Sequence, residues 1–154
     1  MYALSAAILV NPPGAAPVLT IEQVWRGLVM KAENALPFVD AMQECRVIER
    51  FADGFVREIV LCGVRMRERI TFTPPVQVHF QRMEAKGYDG WITNVISESD
   101  QGPMLVFTFC VGFPDAPSGS AEERRRGDAV KASYVSAIAS TLKAVRALVR
   151  EGKL

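Results

Sequence analysis

The longest regular pattern of apolar positions lies near the carboxyl end of the sequence. From Glu122 to Arg150, apolar side chains recur at steps of three and four, which places them on one face of a helix. They are Val130, Tyr134, Ile138, Leu142, Val145 and Leu148 or Val149. Ser120 and Glu123 form a candidate capping box at its start. Because no second helix of this length is predicted, the apolar face must be buried against a sheet.

The amino-terminal part predicts one strand and two short helices. Tyr2 to Val10 alternates in side-chain size, which is typical of a strand, and it lacks a basic leader and is too short to span a bilayer. Thr20 and Gln23 form another candidate capping box, followed by a helical pattern that runs to about Lys31. Pro37 suits the first turn of a second short helix ending at Met42, so the two helices should form a V.

The middle of the chain changes to a period of two. Six strands are predicted, at Glu44–Phe51, Phe55–Cys62, Val64–Thr73, Val76–Met83, Gly90–Glu98 and Met104–Phe113. Short turns separate them, so they should form an antiparallel meander. The predicted fold is therefore α+β, with a seven-stranded curved antiparallel sheet gripping the long carboxy-terminal helix, in a single domain over residues 1–154.

Composition and charge narrow the classes of function. Lysine plus arginine is 18 and aspartate plus glutamate is 17, and this near balance gives no electrostatic case for a nucleic-acid partner. Cys45, Cys62 and Cys110 are far apart and odd in number, which argues against a disulfide framework or a zinc site. Free thiols fit a cytoplasmic location. Motifs for nucleotide hydrolysis, dinucleotide binding, zinc proteolysis and serine hydrolysis are absent from the sequence, and no cofactor is expected.

Short motifs along nearly the whole chain suggest a family. In order they are Ala3-Leu4-Ser5-Ala6, Leu36-Pro37-Phe38, Asp53-Gly54-Phe55, Arg67-Glu68-Arg69, Asn94-Val95-Ile96-Ser97-Glu98, Thr108-Phe109 and Gly119-Ser120-Ala121-Glu122. As an ordered set they resemble the SRPBCC superfamily of START and birch-pollen-allergen proteins, known as the helix-grip fold, and within it the AtaL-like branch. The resemblance implies a hydrophobic pocket between sheet and helix, as in relatives that bind lipids, steroids or polyketides. It supplies no catalytic motif.

One hairpin carries a candidate polar site. A two-residue turn near Gly63 sets Arg57 on the same strand face as Glu68, together with the apolar Ile59 and Ile70, so this face should point inward. A buried charge needs a partner, and Arg57 and Glu68 meet that need. The pair would anchor a ligand's carboxylate or carbonyl, or supply a carboxylate base. The alternatives are a structural ion pair, or a register slip that leaves both residues at the surface. Glu49 would join them if the preceding turn has three residues.

Aromatic residues are the candidates for the wall of a cavity. With Arg57, Glu68, Ile59 and Ile70, the candidate pocket residues are Phe80, Trp91, Phe107, Phe109, Tyr134 and Ile138. Equally, these rings could fill a solid core. Asn94 and Tyr134 could offer hydrogen bonds to a ligand. His79 alternates with inward positions and should face solvent, with a general base as the less favoured interpretation.

The resemblance and this pattern together leave three functions open. The first is binding of a small hydrophobic or aromatic molecule, lipid- or polyketide-like, between the sheet and the terminal helix. The second is a polyketide cyclase or aromatase that uses Arg57, Glu68 or Tyr134 to polarise a carbonyl. The third is a protein-interaction module of the chaperone-activator kind. A homodimer is left open as a further partnership.

Overall fold

The computed structural model describes residues 1–83 and 89–154. Its elements in chain order are β1 (Tyr2–Leu9), α1 (Ile21–Glu33), β2 (Met42–Phe51), β3 (Gly54–Leu61), β4 (Val64–Thr73), β5 (Gln77–Met83), β6 (Gly90–Ser97), β7 (Met104–Val111) and α2 (Ala121–Arg150).

The seven strands form one antiparallel sheet in the order β1-β7-β6-β5-β4-β3-β2. Strands β2 to β7 follow one another as a meander because each connection is short. Strand β1 forms one edge of the sheet and pairs with β7, where Leu4 lies opposite Phe109. This confirms the predicted seven-stranded sheet and its long carboxy-terminal helix. We call the sheet face that looks toward α2 the inner face.

The second short helix predicted between Pro37 and Met42 is wrong. Residues 36–38 and 40–41 form turns, in which Ala35 O accepts from Phe38 N at 2.9 Å and from Val39 N at 3.0 Å. The reason is that β2 begins at Met42, two residues before its predicted start, which leaves too few residues for a helix. The segment after α1 is therefore a tight connection, and the expected V of two helices is absent.

Both helices begin with a side-chain cap. At α1 the capping box is complete, since Thr20 Oγ1 accepts from Gln23 N at 3.1 Å and Gln23 Oε1 accepts from Thr20 N at 3.0 Å. At α2 only half of the predicted box forms, with Ser120 Oγ accepting from Glu123 N at 3.1 Å. The Glu123 carboxylate instead pairs with the amino terminus of Met1 at 2.7 Å. This contact ties the start of α2 to the start of β1.

The two halves of α2 have different surroundings. In the second half, Ile138, Leu142 and Val145 are fully buried in the main core with residues of α1 and the sheet. Gly27 of α1 makes this contact close, because a Cβ built there would meet Val145 Cγ2 at 2.4 Å. In the first half, Tyr134 and its neighbours face a space that the core does not fill. The fold thus leaves a cavity under the first half of α2.

Candidate functional site

A cavity of about 270 Å³ lies between the inner face of the sheet, the end of α1 and the first half of α2. Its described lining residues are Lys31, Ala35, Val39, Ala41, Met42, Arg57, Ile59, Leu61, Cys62, Glu68, Phe80, Arg82, Ile92, Asn94, Phe107, Phe109, Val130, Ser133, Tyr134 and Ala137. Of these, Ala41, Cys62 and Ser133 are exposed and mark the side where the cavity meets solvent. Most of the wall is apolar, and the polar groups are concentrated at the end near α1.

The predicted Arg57–Glu68 pair is present and buried. The two residues lie directly opposite on β3 and β4, and Arg57 Nε and Nη2 both donate to Glu68 Oε2, at 2.8 and 2.6 Å. Their exposed fractions are 5% and 2%, which excludes the register slip that would have put them at the surface. Arg57 Nη1 also donates to the carbonyls of Lys31 and Ala32 near the end of α1, at 3.2 and 2.7 Å. The guanidinium therefore complements the negative end of the helix dipole and joins α1 to the sheet.

Glu49 does not join this pair, contrary to the alternative raised by the sequence. The turn before β3 has two residues, since Phe51 pairs with Gly54, and a bulge separates Val47 from Glu49. As a result Val47, not Glu49, lies opposite Arg57, and Glu49 is exposed opposite Val56.

Lys31 lines the cavity, although it is not among the residues predicted from the sequence. Its side chain is 8% exposed, its Nζ donates to Asn94 Oδ1 at 3.0 Å, and the same atom lies 4.1 Å from the centroid of the Phe107 ring. Burial, and after it the nearby Arg57 charge, lower the pKa of Lys31 to about 7, while the Glu68 charge acts in the opposite direction. Lys31 follows Leu28 by three residues on the buried face of α1. This spacing is the feature of the sequence that places Lys31 on the buried face of α1.

Asn94 brings a second polar group to the same end of the cavity. The side chain is 1% exposed, and its Oδ1 accepts from Lys31. Its Nδ2 has no hydrogen-bond partner among the described residues. Buried amide donors are almost always paired, because an unpaired one loses its bond to water without replacement. The Asn94 amide is therefore suited to donate to an oxygen of a bound molecule.

Four of the predicted aromatic residues line the cavity: Phe80, Phe107, Phe109 and Tyr134. The rings of Phe109 and Tyr134 are stacked, with centroids 4.4 Å apart and planes at 4°. This contact joins β7 to α2 directly above the cavity.

Trp91 does not line the cavity, so this prediction is wrong. Strands β5 and β6 pair Phe80 with Ile92 and Gln81 with Trp91, which puts Ile92 on the inner face. Trp91 is on the opposite face, where its ring stacks on His79 with centroids 6.1 Å apart. The inward face of β6 is not evident from its residues, because both faces of this strand mix apolar and polar side chains.

Two further candidates, Ile70 and Ile138, belong to the solid part of the core. Both have no exposed surface and pack in the main apolar cluster, outside the cavity lining. Ile59 does line the cavity, as do Arg57 and Glu68. On α2 the lining comes instead from Val130, Ser133 and Ala137 beside Tyr134.

Residues 4–152 match the family described as AtaL, acetylaranotin biosynthesis cluster protein L. The chain belongs to the AtaL family. This confirms the resemblance drawn from the short motifs, and the match extends over both the sheet and α2. A comparison of the sequence with curated proteins finds no significant match.

Solved structures of low sequence identity share the fold. TTHA0849 from Thermus thermophilus is 16% identical with a TM-score of 0.73, over 95% of this chain and 98% of that chain. The Zhui aromatase/cyclase from Streptomyces sp. R1128 is 13% identical with a TM-score of 0.66, over 96% and 95%. The di-domain ARO/CYC StfQ from the steffimycin biosynthetic pathway is 8% identical with a TM-score of 0.71, over 97% of this chain and 50% of StfQ. These likenesses place the AtaL-family chain in the helix-grip fold.

Residues 1–83 and 89–154 contain neither a helix suited to cross a membrane nor a cluster of metal-ligating side chains. Neither α1 nor α2 combines the length and apolar character that crossing a membrane requires. In the same residues, no cluster of three or more His, Cys, Asp or Glu side chains is placed to hold a metal ion.

Proposed function

We propose that the protein binds a small apolar or aromatic molecule in the cavity between the sheet and α2. An apolar wall with a few polar groups gathered at one end is typical of small-molecule sites. The volume of about 270 Å³ is close to the lower end of the roughly 300–1,000 Å³ usual for such sites. It suits a compact ring system better than an extended lipid chain.

The unpartnered Asn94 Nδ2 carries this proposal. This amide donor is buried and faces the cavity, at a position where a core that served only for packing would carry an apolar side chain. An acceptor atom on a bound molecule would complete its hydrogen bonding. This favours a ligand-binding protein over the interaction module that the sequence left open.

A neutral fluorescent probe, N-phenyl-1-naphthylamine, tests the proposal. We expect a saturable rise in fluorescence with the wild-type protein, because the probe's rings are apolar and the cavity excludes most water. Ala137→Trp should abolish the rise, since Ala137 lines the cavity and an indole there would fill it. Ala132→Trp is the matched control at an exposed position of the same helix, outside the cavity lining, and should bind as the wild type does.

Either of two results would overturn the proposal. One is a wild-type protein that shows no saturable binding while its circular dichroism indicates a folded chain. The other is an Ala137→Trp variant that is folded and binds the probe with unchanged affinity. Native mass spectrometry of freshly purified protein complements the titration, because a co-purifying molecule would show as a mass above that of the chain.

A second candidate function is a cyclase or aromatase reaction. The observation that favours it is the pair of donors at one end of the cavity, Lys31 Nζ and Asn94 Nδ2, which are placed to polarise a carbonyl oxygen. Cyclisation would join an enol carbon to a carbonyl carbon of the same chain, which closes the ring, turns the attacked carbonyl into a hydroxyl that takes up the enol proton, and restores the enol to a ketone. Loss of that hydroxyl as water would then make the ring aromatic. Product analysis with a linear poly-β-ketone thioester tests it. We expect a cyclised product from the wild type and none from Lys31→Met, whereas no product from the wild type removes this candidate for that class of substrate.

We also infer a cytoplasmic location from the cysteines. Cys45, Cys62 and Cys110 are all free thiols. This state is typical of proteins in a reducing compartment.

A further inference from the structure

We propose that the cavity selects apolar ligands that carry an anionic oxygen, such as an aromatic carboxylate or a phenolate, and that Lys31 and Asn94 hold that oxygen. The proposal rests on the proposed function and deepens it by naming the ligand class.

Unused donors at the α1 end of the cavity are the first support. A lysine ammonium has three N–H donors, and Lys31 uses one on Asn94 Oδ1 at 3.0 Å while its Nζ lies against the Phe107 ring. The Asn94 Nδ2 is buried without a partner in the described residues. Both side chains line the cavity. One oxygen placed beside them would accept from the ammonium and the amide together.

The charge around Lys31 is the second support. The charged or titratable groups that line the cavity with it, in the described residues, are Arg57 on β3, Glu68 on β4, Arg82 on β5, Cys62 after β3 and Tyr134 on α2. Glu68 is the one carboxylate in that set, and it is held by Arg57 at 2.6 Å. Lys31 makes no ion pair with a carboxylate in the described part of the chain. A buried ammonium gains most from a paired anion, and the ligand is positioned to supply it.

Protonation of Lys31 should then be coupled to binding. Without ligand, the pKa of Lys31 is lowered to about 7, so the amine is mostly neutral in mildly alkaline solution. An anion beside it favours the ammonium and raises this pKa. Above pH 7 the ligand-bound protein therefore carries more protons than the free protein. Binding takes up protons there, and the affinity falls as the pH rises.

Isothermal titration calorimetry with 2-naphthoate and its neutral amide, 2-naphthamide, tests this. We expect 2-naphthoate to bind about tenfold more tightly or better, because a charge-assisted hydrogen bond is stronger than a neutral one. At about pH 8.5, in titrations repeated in buffers of different ionisation enthalpy, binding of 2-naphthoate should be accompanied by uptake of about 1 proton and binding of 2-naphthamide by none.

Three variants assign the effect to Lys31. Lys31→Arg keeps a cation that does not titrate in this range, so it should retain the preference for 2-naphthoate and lose the proton uptake. Lys31→Met should lose the preference and still bind 2-naphthamide. Lys131→Met removes an exposed lysine of α2 and should behave as the wild type does.

The possible results separate the two proposals. If the wild type binds 2-naphthamide as tightly as 2-naphthoate, or prefers 2-naphthoate without taking up protons, the anion site at Lys31 is refuted and the proposed function stands. An unchanged preference in folded Lys31→Met refutes it as well. If none of 2-naphthoate, 2-naphthamide and N-phenyl-1-naphthylamine binds to the wild type, the proposed function itself fails.

Discussion

Arg57 and Glu68 face each other across β3 and β4, and two guanidinium nitrogens of Arg57 donate to a single Glu68 oxygen, Oε2, at 2.8 and 2.6 Å. The third nitrogen of Arg57 donates to the Ala32 carbonyl in α1 at 2.7 Å. The ion pair thus fixes the end of α1 on the sheet. Because Lys31 is the residue next to Ala32, the same contacts set where Lys31 enters the cavity.

The stability of the fold should depend strongly on this pair. We expect Glu68→Gln to lower the free energy of unfolding by about 3–5 kcal/mol, because it leaves the Arg57 charge buried without a carboxylate. The double variant Arg57→Met with Glu68→Gln should lose less than the sum of the losses in Arg57→Met and Glu68→Gln alone. Urea denaturation of the four proteins gives the coupling free energy.

An exposed ion pair provides the control for this cycle. Arg65 and Glu44 are 2.8 Å apart with more than half of each side chain exposed, at 54% and 57%. Because water screens them, Glu44→Gln should change the stability by less than about 1 kcal/mol. A coupling free energy near zero between Arg57 and Glu68 would contradict the central role given to their contact.

The stacked rings of Phe109 and Tyr134 lead to a second prediction. Tyr134→Ala should lower the free energy of unfolding by about 2 kcal/mol, because it removes a ring contact and enlarges the cavity below it. Tyr134→Phe keeps the ring and should change the stability by less than ~0.5 kcal/mol. Thermal and urea denaturation measure both. Equal losses in the two variants would show that the hydroxyl, and not the stacking, matters.

The strand faces could be predicted where one face is uniformly apolar. On β7, Leu105, Phe107 and Phe109 alternate with less buried residues, and the structure buries all three. The charged Arg57 and Glu68 could also be placed inside, because two opposite charges in one register satisfy each other. On β6 neither face has this consistency. Only its pairing with the neighbouring strand decides the phase, and that pairing is not readable from β6 alone.

The burial of Lys31 could not be predicted for a different reason. The helical spacing places Lys31 on the apolar face of α1, but a lysine at a helix end is usually at the surface. What makes its burial possible is Asn94 and the Phe107 ring, which come from strands more than 60 residues further along the chain. Sequence patterns report local periodicity, whereas this environment is made by long-range pairing.

Gly27 sets the spacing between α1 and α2, and this gives a third prediction. Gly27→Ala should lower the free energy of unfolding by about 1–3 kcal/mol, since the new Cβ would meet Val145 Cγ2 at 2.4 Å. This should outweigh the helix propensity that alanine adds, which is about 1 kcal/mol. Combining Gly27→Ala with Val145→Ala should recover part of the loss of the two single variants, because the second change makes room for the first. If urea denaturation shows that the losses in free energy of unfolding of Gly27→Ala and Val145→Ala simply add in the double variant, close packing between these two residues is contradicted.

The lowered pKa of Lys31 makes the last prediction, on the pH dependence of stability. In the unfolded chain Lys31 titrates near its ordinary value of 10.5, and in the folded protein burial lowers the pKa to about 7. Between these values the unfolded state binds the extra proton, so stability rises with pH. Below about pH 7 both states are protonated and the contribution is constant.

Lys31→Met isolates this contribution, because the two proteins differ in one titrating group and share the effects of all others. From about pH 7.5 to 9.5, the difference in free energy of unfolding between the wild type and Lys31→Met should shift in favour of the wild type, by up to about 1.4 kcal/mol per pH unit. Urea denaturation at several pH values measures the difference, with Lys131→Met expected to run parallel to the wild type. If the wild type and Lys31→Met also run parallel, Lys31 keeps its ordinary pKa in the folded protein. The coupling of ligand binding to proton uptake would then lose its basis.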